Sequence, residues 1–179
     1  MQNNIPDYCI KPVLILGCGN ILFGDDGFGP QVAEYLKQNY IIPENAEVVN
    51  AGCSVRNILF DIILSSKKPE KIIIIDAVEM GRVPGEFFEI PIEDIPENKI
   101  DDFSMHQLPT SNLLKELKFL CNILVKVYAC QPESIPENVS IGLSKKLNDI
   151  IPEICKLLIN EINQYSLKKD LPKSFNKNF

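Results

Sequence analysis

Four consecutive isoleucines, Ile72, Ile73, Ile74 and Ile75, stand between Lys71 and Asp76 and constrain this chain more than any other stretch. Successive side chains of a strand point to opposite faces, so an unbroken aliphatic run must be covered on both sides. That requires a central strand of a parallel sheet with helices packed on each face. Val13-Leu14-Ile15-Leu16, set between Pro12 and Gly17, makes the same demand. Between the two runs, apolar residues recur at helical spacing over 28–40 (Phe28, Val32, Tyr35, Leu36, Tyr40) and over 55–66 (Ile58, Leu59, Ile62, Ile63), the latter with Ser54 placed to cap it. Residues 47–51 read as a short strand stopped at Gly52. Strand and helix alternate, which predicts an α/β fold: a three-layer α/β/α sandwich around a mostly parallel sheet.

The rest of the chain extends that pattern. Residues 86–90 alternate as a half-exposed antiparallel edge strand, and 91–104 form an acidic, proline-bearing surface excursion. A helix is expected over 110–120 with Leu113, Leu114 and Leu117 inward, then a strand over 122–130. The last helix, 144–164, carries a wide stripe including Leu147, Ile151, Ile154, Leu158 and Ile162, and Pro152 should kink or offset it. Residues 1–11 should be loose apart from Cys9 and Ile10 leading into the first strand, and 168–179 should fray. At 179 residues the chain makes one domain over 1–179, with its core at about 12–165.

Composition removes several classes of function. A formal charge of −6, without clustered Lys and Arg, argues against nucleic acid as a partner. No apolar run approaches bilayer-spanning length, and no basic start leads into an apolar run, so neither membrane nor secretion is expected and the place of work is taken as cytoplasmic. The six cysteines are scattered without a Cys-x-x-Cys pair, which disfavours a zinc knuckle, a thioredoxin-type motif and a secreted disulfide framework. His106 stands alone, so no multi-histidine metal site can form within one chain.

Chemistry collects where the strands end. In open parallel sheets, functional groups gather outside the carboxyl ends, and the turn Gly19-Asn20-Ile21-Leu22-Phe23-Gly24-Asp25-Asp26-Gly27-Phe28-Gly29 lies there. A dinucleotide fingerprint fails on spacing, because its third glycine would fall at Leu22, and the paired acids would repel a pyrophosphate. Two acids without a base suit a cation better than a phosphate. Asp26 taken alone reads as a helix cap, and Asp25 as structural, capping the helix over 28–40 and setting the loop's charge. Asp76, following four core isoleucines, must sit at the same rim, since burying an unpaired carboxylate is costly. His106 alone would be a satisfied loop histidine, and Cys18 and Cys53, which follow adjacent strands, read as small core residues.

Together these stretches resemble the hydrogenase maturation endopeptidases. The Gly19 to Gly29 turn resembles that family's signature, Asp76-Ala77-Val78 with Pro84-Gly85 its second motif, and Ser104-Met105-His106-Gln107-Leu108 its third. Ile141-Gly142-Leu143-Ser144 also matches, so the resemblance runs from residue 13 to about 158. The run Met105-His106-Gln107-Leu108-Pro109-Thr110 looks most like the subgroup serving the coenzyme F-420-reducing hydrogenase of methanogens. The resemblance implies a peptidase, aspartic-type by family classification, that removes a C-terminal extension from a nickel-iron hydrogenase large-subunit precursor after nickel insertion. It implies Asp26, Asp76 and His106 as the metal-binding and catalytic set, and nickel that arrives with the nickel-loaded precursor; no organic cofactor is implied. One departure stands at Asn50, where some members carry an acid proposed to take part in substrate recognition. The same three ligands would also suit a nickel-sensing chaperone that grips the precursor without cutting it. A different endopeptidase on the same fold is the third reading. The oligomeric state is not legible.

Overall fold

The computed structural model describes residues 5–94 and 111–170. Its elements are α1 (Asp7–Ile10), β1 (Val13–Cys18), α2 (Phe28–Asn39), β2 (Ala46–Gly52), α3 (Val55–Leu64), β3 (Lys71–Ala77), β4 (Phe87–Ile90), α4 (Ser111–Phe119), β5 (Leu124–Cys130) and α5 (Lys145–Asp170). They build a five-stranded sheet in the order β2-β1-β3-β5-β4, parallel except that β4 runs antiparallel to β5. The mostly parallel sheet and its antiparallel edge are those the hydrophobic pattern predicts.

The isoleucine run shows why. Ile72 and Ile74 pack with Leu14, Leu16, Val125 and Val127 beneath α3 and α4, through Leu59, Ile62, Leu114 and Leu117. Ile73 and Ile75 point the other way, joining Val13 and Ile15 beneath α2 and α5. Each fully buried aliphatic side chain contributes roughly 1.5–3 kcal/mol relative to exposure, so losing either helical layer would strip half the strand of its cover. At the amino ends of the strands, Lys71 pairs with Glu161 of α5 at 2.8 Å, and Lys126 reaches the same carboxylate at 2.9 Å. Tyr128 Oη donates to it as well, so this half-buried charge is well partnered and lies at the end opposite the acidic loops.

Several expectations are corrected. Residues 7–10 form α1 rather than a loose lead-in: Pro6 precedes it, Cys9 is wholly buried, and Tyr8 Oη donates to Asp61 on α3 at 2.7 Å. Ser54 occupies the N-cap position of α3, but its side chain makes no capping bond. The final helix continues past the expected end at 164 to Asp170, through residues 168–170 that the sequence predicts to fray, and holds Pro152 inside it. A proline there forfeits one backbone bond, which the buried stripe on both sides of it outweighs. Tyr165 Oη, donating to Glu70 at 2.7 Å, anchors the added turn. Of the acidic excursion, residues 92–94 form a 3-10 turn with Ile92 buried, and the stretch from 95 to 110, His106 included, lies outside the described residues, as do 171–179.

What positions the acidic turn is the closeness of α2 to the sheet. A Cβ on Gly29 would lie 2.3 Å from the carbonyl oxygens of both Cys18 and Ile75, and one on Gly17 would lie 2.1 Å from Gly29 O. The first turn of α2 therefore rests directly on the carboxyl ends of β1 and β3. Gly29→Ala should lower stability by about 2 kcal/mol or more, despite alanine's better helix propensity, and lower Tm by roughly 4–8 °C. Thermal unfolding followed by circular dichroism measures it; a Tm within about 1 °C of wild type would show that α2 can lift off the strands at no cost.

Candidate active site

β1 and β3 are neighbours in parallel register, Gly17 beside Ile75, so the chain emerging from β1 and the end of β3 meet at one rim. Asp76 is the last but one residue of β3, and its Oδ1 accepts from the N–H of Ala77 at 2.9 Å. Gly19, at φ 123°, turns the chain sharply after β1. The loop then folds back on itself: Asn20 N–H donates to Asp26 Oδ2 at 2.8 Å and lies 3.1 Å from Asp26 O, while Leu22 N–H donates to Asn20 Oδ1 at 3.0 Å. A Cβ on Gly19 would sit 1.8 Å from Asp26 O and 3.5 Å from Asp76 Oδ1. The two acids converge on that glycine, and only 4% of Asp26 and 6% of Asp76 is exposed.

This is a costly place for two carboxylates. Burial first, and then the charge of Asp26, push the Asp76 carboxyl up to about 8, against a smaller lowering by the Ala77 N–H. Near neutral pH the metal-free pair therefore holds a proton at Asp76. A cation would relieve the same repulsion, and two oxygen donors at one rim are what such a cation needs. Among the described residues no three His, Cys, Asp or Glu side chains are grouped to hold a metal ion. Asp26 and Asp76 come together as the sequence predicts, while His106 lies outside the described residues.

Two neighbouring residues support the rim. Asp25 is buried, and it does not cap α2 as expected. Its Oδ2 accepts from the N–H of Glu133 at 2.8 Å and of Ser134 at 3.3 Å, and its Oδ1 from Ser144 N–H at 2.6 Å. It straps the loop after β5, and the residue before α5, onto the acidic turn. Ser140 completes the seam, donating to Leu22 O at 2.8 Å and accepting from Gly24 N–H at 2.7 Å. Gln131, which the sequence reading passes over, is buried and fixes the loop after β3: its Oε1 accepts from Met80 and Arg82 N–H, and its Nε2 donates to Glu79 at 2.7 Å. A glutamine directly after a buried strand, ahead of a proline, was the available signal.

The cysteines divide. Cys18 is buried in the core as expected, but Cys53 is exposed, because Gly52 at φ 50° turns the chain outward. Its Sγ lies 3.7 Å from Gly19 O, beside the acids. Burial and then the charges of Asp26 and Asp76 raise the Cys53 thiol above its ordinary range, which makes it a protonated, weak nucleophile. Asn50 donates from Nδ2 to Glu34 of α2 at 3.1 Å, a bond that an acid at this position would turn into repulsion.

Comparison with known proteins gives these features a context. The family model described as HycI, hydrogenase maturation protease, matches residues 30–161. The chain is 32% identical to the coenzyme F420 hydrogenase subunit delta of Methanothermobacter thermautotrophicus, covering 84% of this chain and 94% of that one. It is 30% identical to the hydrogenase 2 maturation protease of Escherichia coli, over 72% of this chain and 78% of the other. Among solved structures, the hydrogenase maturating endopeptidase HybD of E. coli superposes with a TM-score of 0.69 at 28% identity, covering 86% and 93% of the two chains.

The pH dependence of stability tests the buried acid. At low pH, Asp76 is protonated in both folded and unfolded chains. As pH rises from about 4 to about 8, the unfolded chain releases that proton while the folded chain keeps it, so stability is lost across the interval and levels off above it. Asp76→Asn removes this component. The Tm of the metal-free variant should gain on wild type by at least about 4 °C between about pH 5 and about pH 8, as each pH unit carries up to ~1.4 kcal/mol. A difference in Tm that does not change with pH would contradict the assignment.

Proposed function

The chain belongs to the hydrogenase maturation protease family, and from that membership we propose that it is an endopeptidase that removes the C-terminal extension of a nickel-iron hydrogenase large-subunit precursor once nickel is in place. Likeness to the F420 hydrogenase delta subunit supports a precursor of the F420-reducing type. The observation that carries the reading is the pair of buried, mutually repelling aspartates at the carboxyl ends of β1 and β3.

In this reading the nickel is part of the substrate, held by cysteines of the precursor, and Asp26, Asp76 and His106 are the groups that ligate it. A divalent cation replaces the proton on Asp76 and cancels the repulsion between the acids, so the rim favours a loaded precursor over an empty one. The cleaving nucleophile is a water molecule. Its oxygen attacks the scissile carbonyl carbon, an aspartate takes its proton, and that proton passes to the amine as the C–N bond breaks. The raised Cys53 thiol and the buried Cys18 are poor alternatives. A protein substrate also accounts for the apolar side chains exposed on the loops around the acids: Ile21, Leu22, Met80, Val83, Val139 and Ile141.

The test is mass analysis of nickel-loaded and nickel-free precursor after incubation with the purified chain. Loaded precursor should lose its extension and nickel-free precursor should stay intact, with a chelator given to the enzyme alone making no difference. Asp26→Asn, Asp76→Asn and His106→Ala should each fold and cut at least about 100-fold more slowly. Tight binding of the loaded precursor without any cut would establish the chaperone reading instead. Cleavage of nickel-free precursor at the full rate would remove nickel from the account.

A further inference from the structure

Gln131 is only 2% exposed, and the whole hydrogen-bonding capacity of its side chain is used. An amide offers two lone pairs and two N–H bonds. Oε1 accepts from Met80 N–H at 2.9 Å and from Arg82 N–H at 3.0 Å, while Nε2 donates to Glu79 Oε1 at 2.7 Å and to Pro132 O at 3.2 Å. Its main chain turns to the same segment: Gln131 N–H donates to Glu86 O, and its carbonyl accepts from Gly85 N–H, both at 2.9 Å. Glu79 adds a further tie by accepting from Gly81 N–H at 3.0 Å. At the far limb the Arg82 guanidinium lies 3.8 Å from the centre of the Phe88 ring and pairs with Glu86 at 2.6 Å. Residues 79–86 are therefore bound at both limbs by one buried residue.

A loop held in this way is more than a connection. It follows directly on the end of β3, which carries Asp76, and it presents two large apolar side chains, Met80 and Val83, at 51% and 70% exposure. Left in water, those side chains add little to the stability of the fold. Apolar groups standing on a backbone that is already fixed suit association, because the loop need not be ordered again when a partner arrives. Resting on the endopeptidase reading above, we propose that residues 79–86 are a preformed grip on the precursor, positioned by Gln131. Met80 and Val83 seat against an apolar patch of the precursor beside its scissile bond. An apolar contact of this kind is equally strong before and during bond cleavage, so the loop sets affinity for the precursor and leaves the chemical step to the acids. Gln131 touches neither substrate nor acids; it acts through the backbone of the loop, as a positioning residue.

The experiment measures steady-state cleavage of the nickel-loaded precursor by the full chain, and equilibrium binding of the same precursor, side by side. Met80→Ser combined with Val83→Ser changes exposed positions only, so Tm should stay within about 2 °C of wild type. KM and Kd should rise about tenfold or more, with kcat within about twofold. Gln131→Met keeps the length of the side chain but leaves the N–H groups of Met80 and Arg82 without an acceptor. It should raise KM and Kd about fivefold or more although both apolar side chains are still present. Gln131→Glu sets a carboxylate against Glu79 and should have the same effect. Adding Glu79→Gln restores a donor across that contact and should bring Kd back to within about threefold of wild type. A Kd unmoved by the two serines, or a fall in kcat with KM steady, overturns the grip. A Gln131→Met protein that binds normally, or a folded Gln131→Glu protein whose weak binding Glu79→Gln does not repair, overturns the positioning role. If the wild-type chain binds loaded precursor without cutting it, the endopeptidase reading falls, and the Kd values still decide this proposal.

Discussion

Two buried carboxylates, Asp26 and Asp76, face one another's charge at the rim of the sheet, and the surrounding architecture holds them there. Asp26 lies in the turn between β1 and α2 and Asp76 near the end of β3, and a side chain on Gly19 would press on the Asp26 carbonyl and shift the turn that carries it. Burial and mutual charge leave the pair holding a proton near neutral pH, a state that a cation can replace. A site built this way is unfavourable when empty and relieved by a cation, which is the property that the proposed discrimination between loaded and unloaded precursor needs.

The frame around the pair is stiff for identifiable reasons. Gly17 and Gly29 let the first turn of α2 sit on the ends of β1 and β3, which sets the height of the acidic turn above the sheet. Asp25 spends a buried carboxylate on three backbone N–H groups across the loop after β5, and Gln131 does similar work for the loop after β3. Asp25 binds backbone alone, and Gln131 binds two backbone N–H groups together with the Glu79 carboxylate, so loop shape depends on few of the loops' side chains. The others are then free to be apolar and exposed around the acids.

Much of this was legible in the sequence. The isoleucine run implied a central parallel strand, since period-two geometry allows no other cover for it, and the order of strands and helices followed. Asp76 was placed at the rim by cost alone: a carboxylate cannot sit unpartnered among isoleucines. The bonds of Asp25 are not legible in the sequence because its partners, Glu133, Ser134 and Ser144, are more than a hundred residues away, and no local pattern encodes a bond at that range. Cys53 reads as a core residue in the sequence, but the left-handed turn at Gly52 decides its exposure, and such a turn follows from neither residue's chemistry alone. The lead-in reads as loose apart from Cys9 and Ile10, yet one turn of helix over residues 7–10 suffices to bury Cys9. The start of the last helix and its stripe were plain, whereas its continuation past residue 164 depends on Tyr165 finding Glu70 across the fold.

The central claim is that the aspartates ligate nickel presented by the precursor, and the coordination of that nickel tests it most directly. X-ray absorption at the nickel edge should be recorded for the loaded precursor alone, then mixed with the wild-type chain, and then with a chain carrying Asp26→Ala and Asp76→Ala. The account predicts new oxygen and nitrogen ligands beside the sulfur shell on mixing with the wild-type chain, before cleavage proceeds. It predicts that the oxygen ligands are missing with the double variant. A nickel spectrum that stays unchanged on mixing, or that changes equally with both proteins, would contradict it.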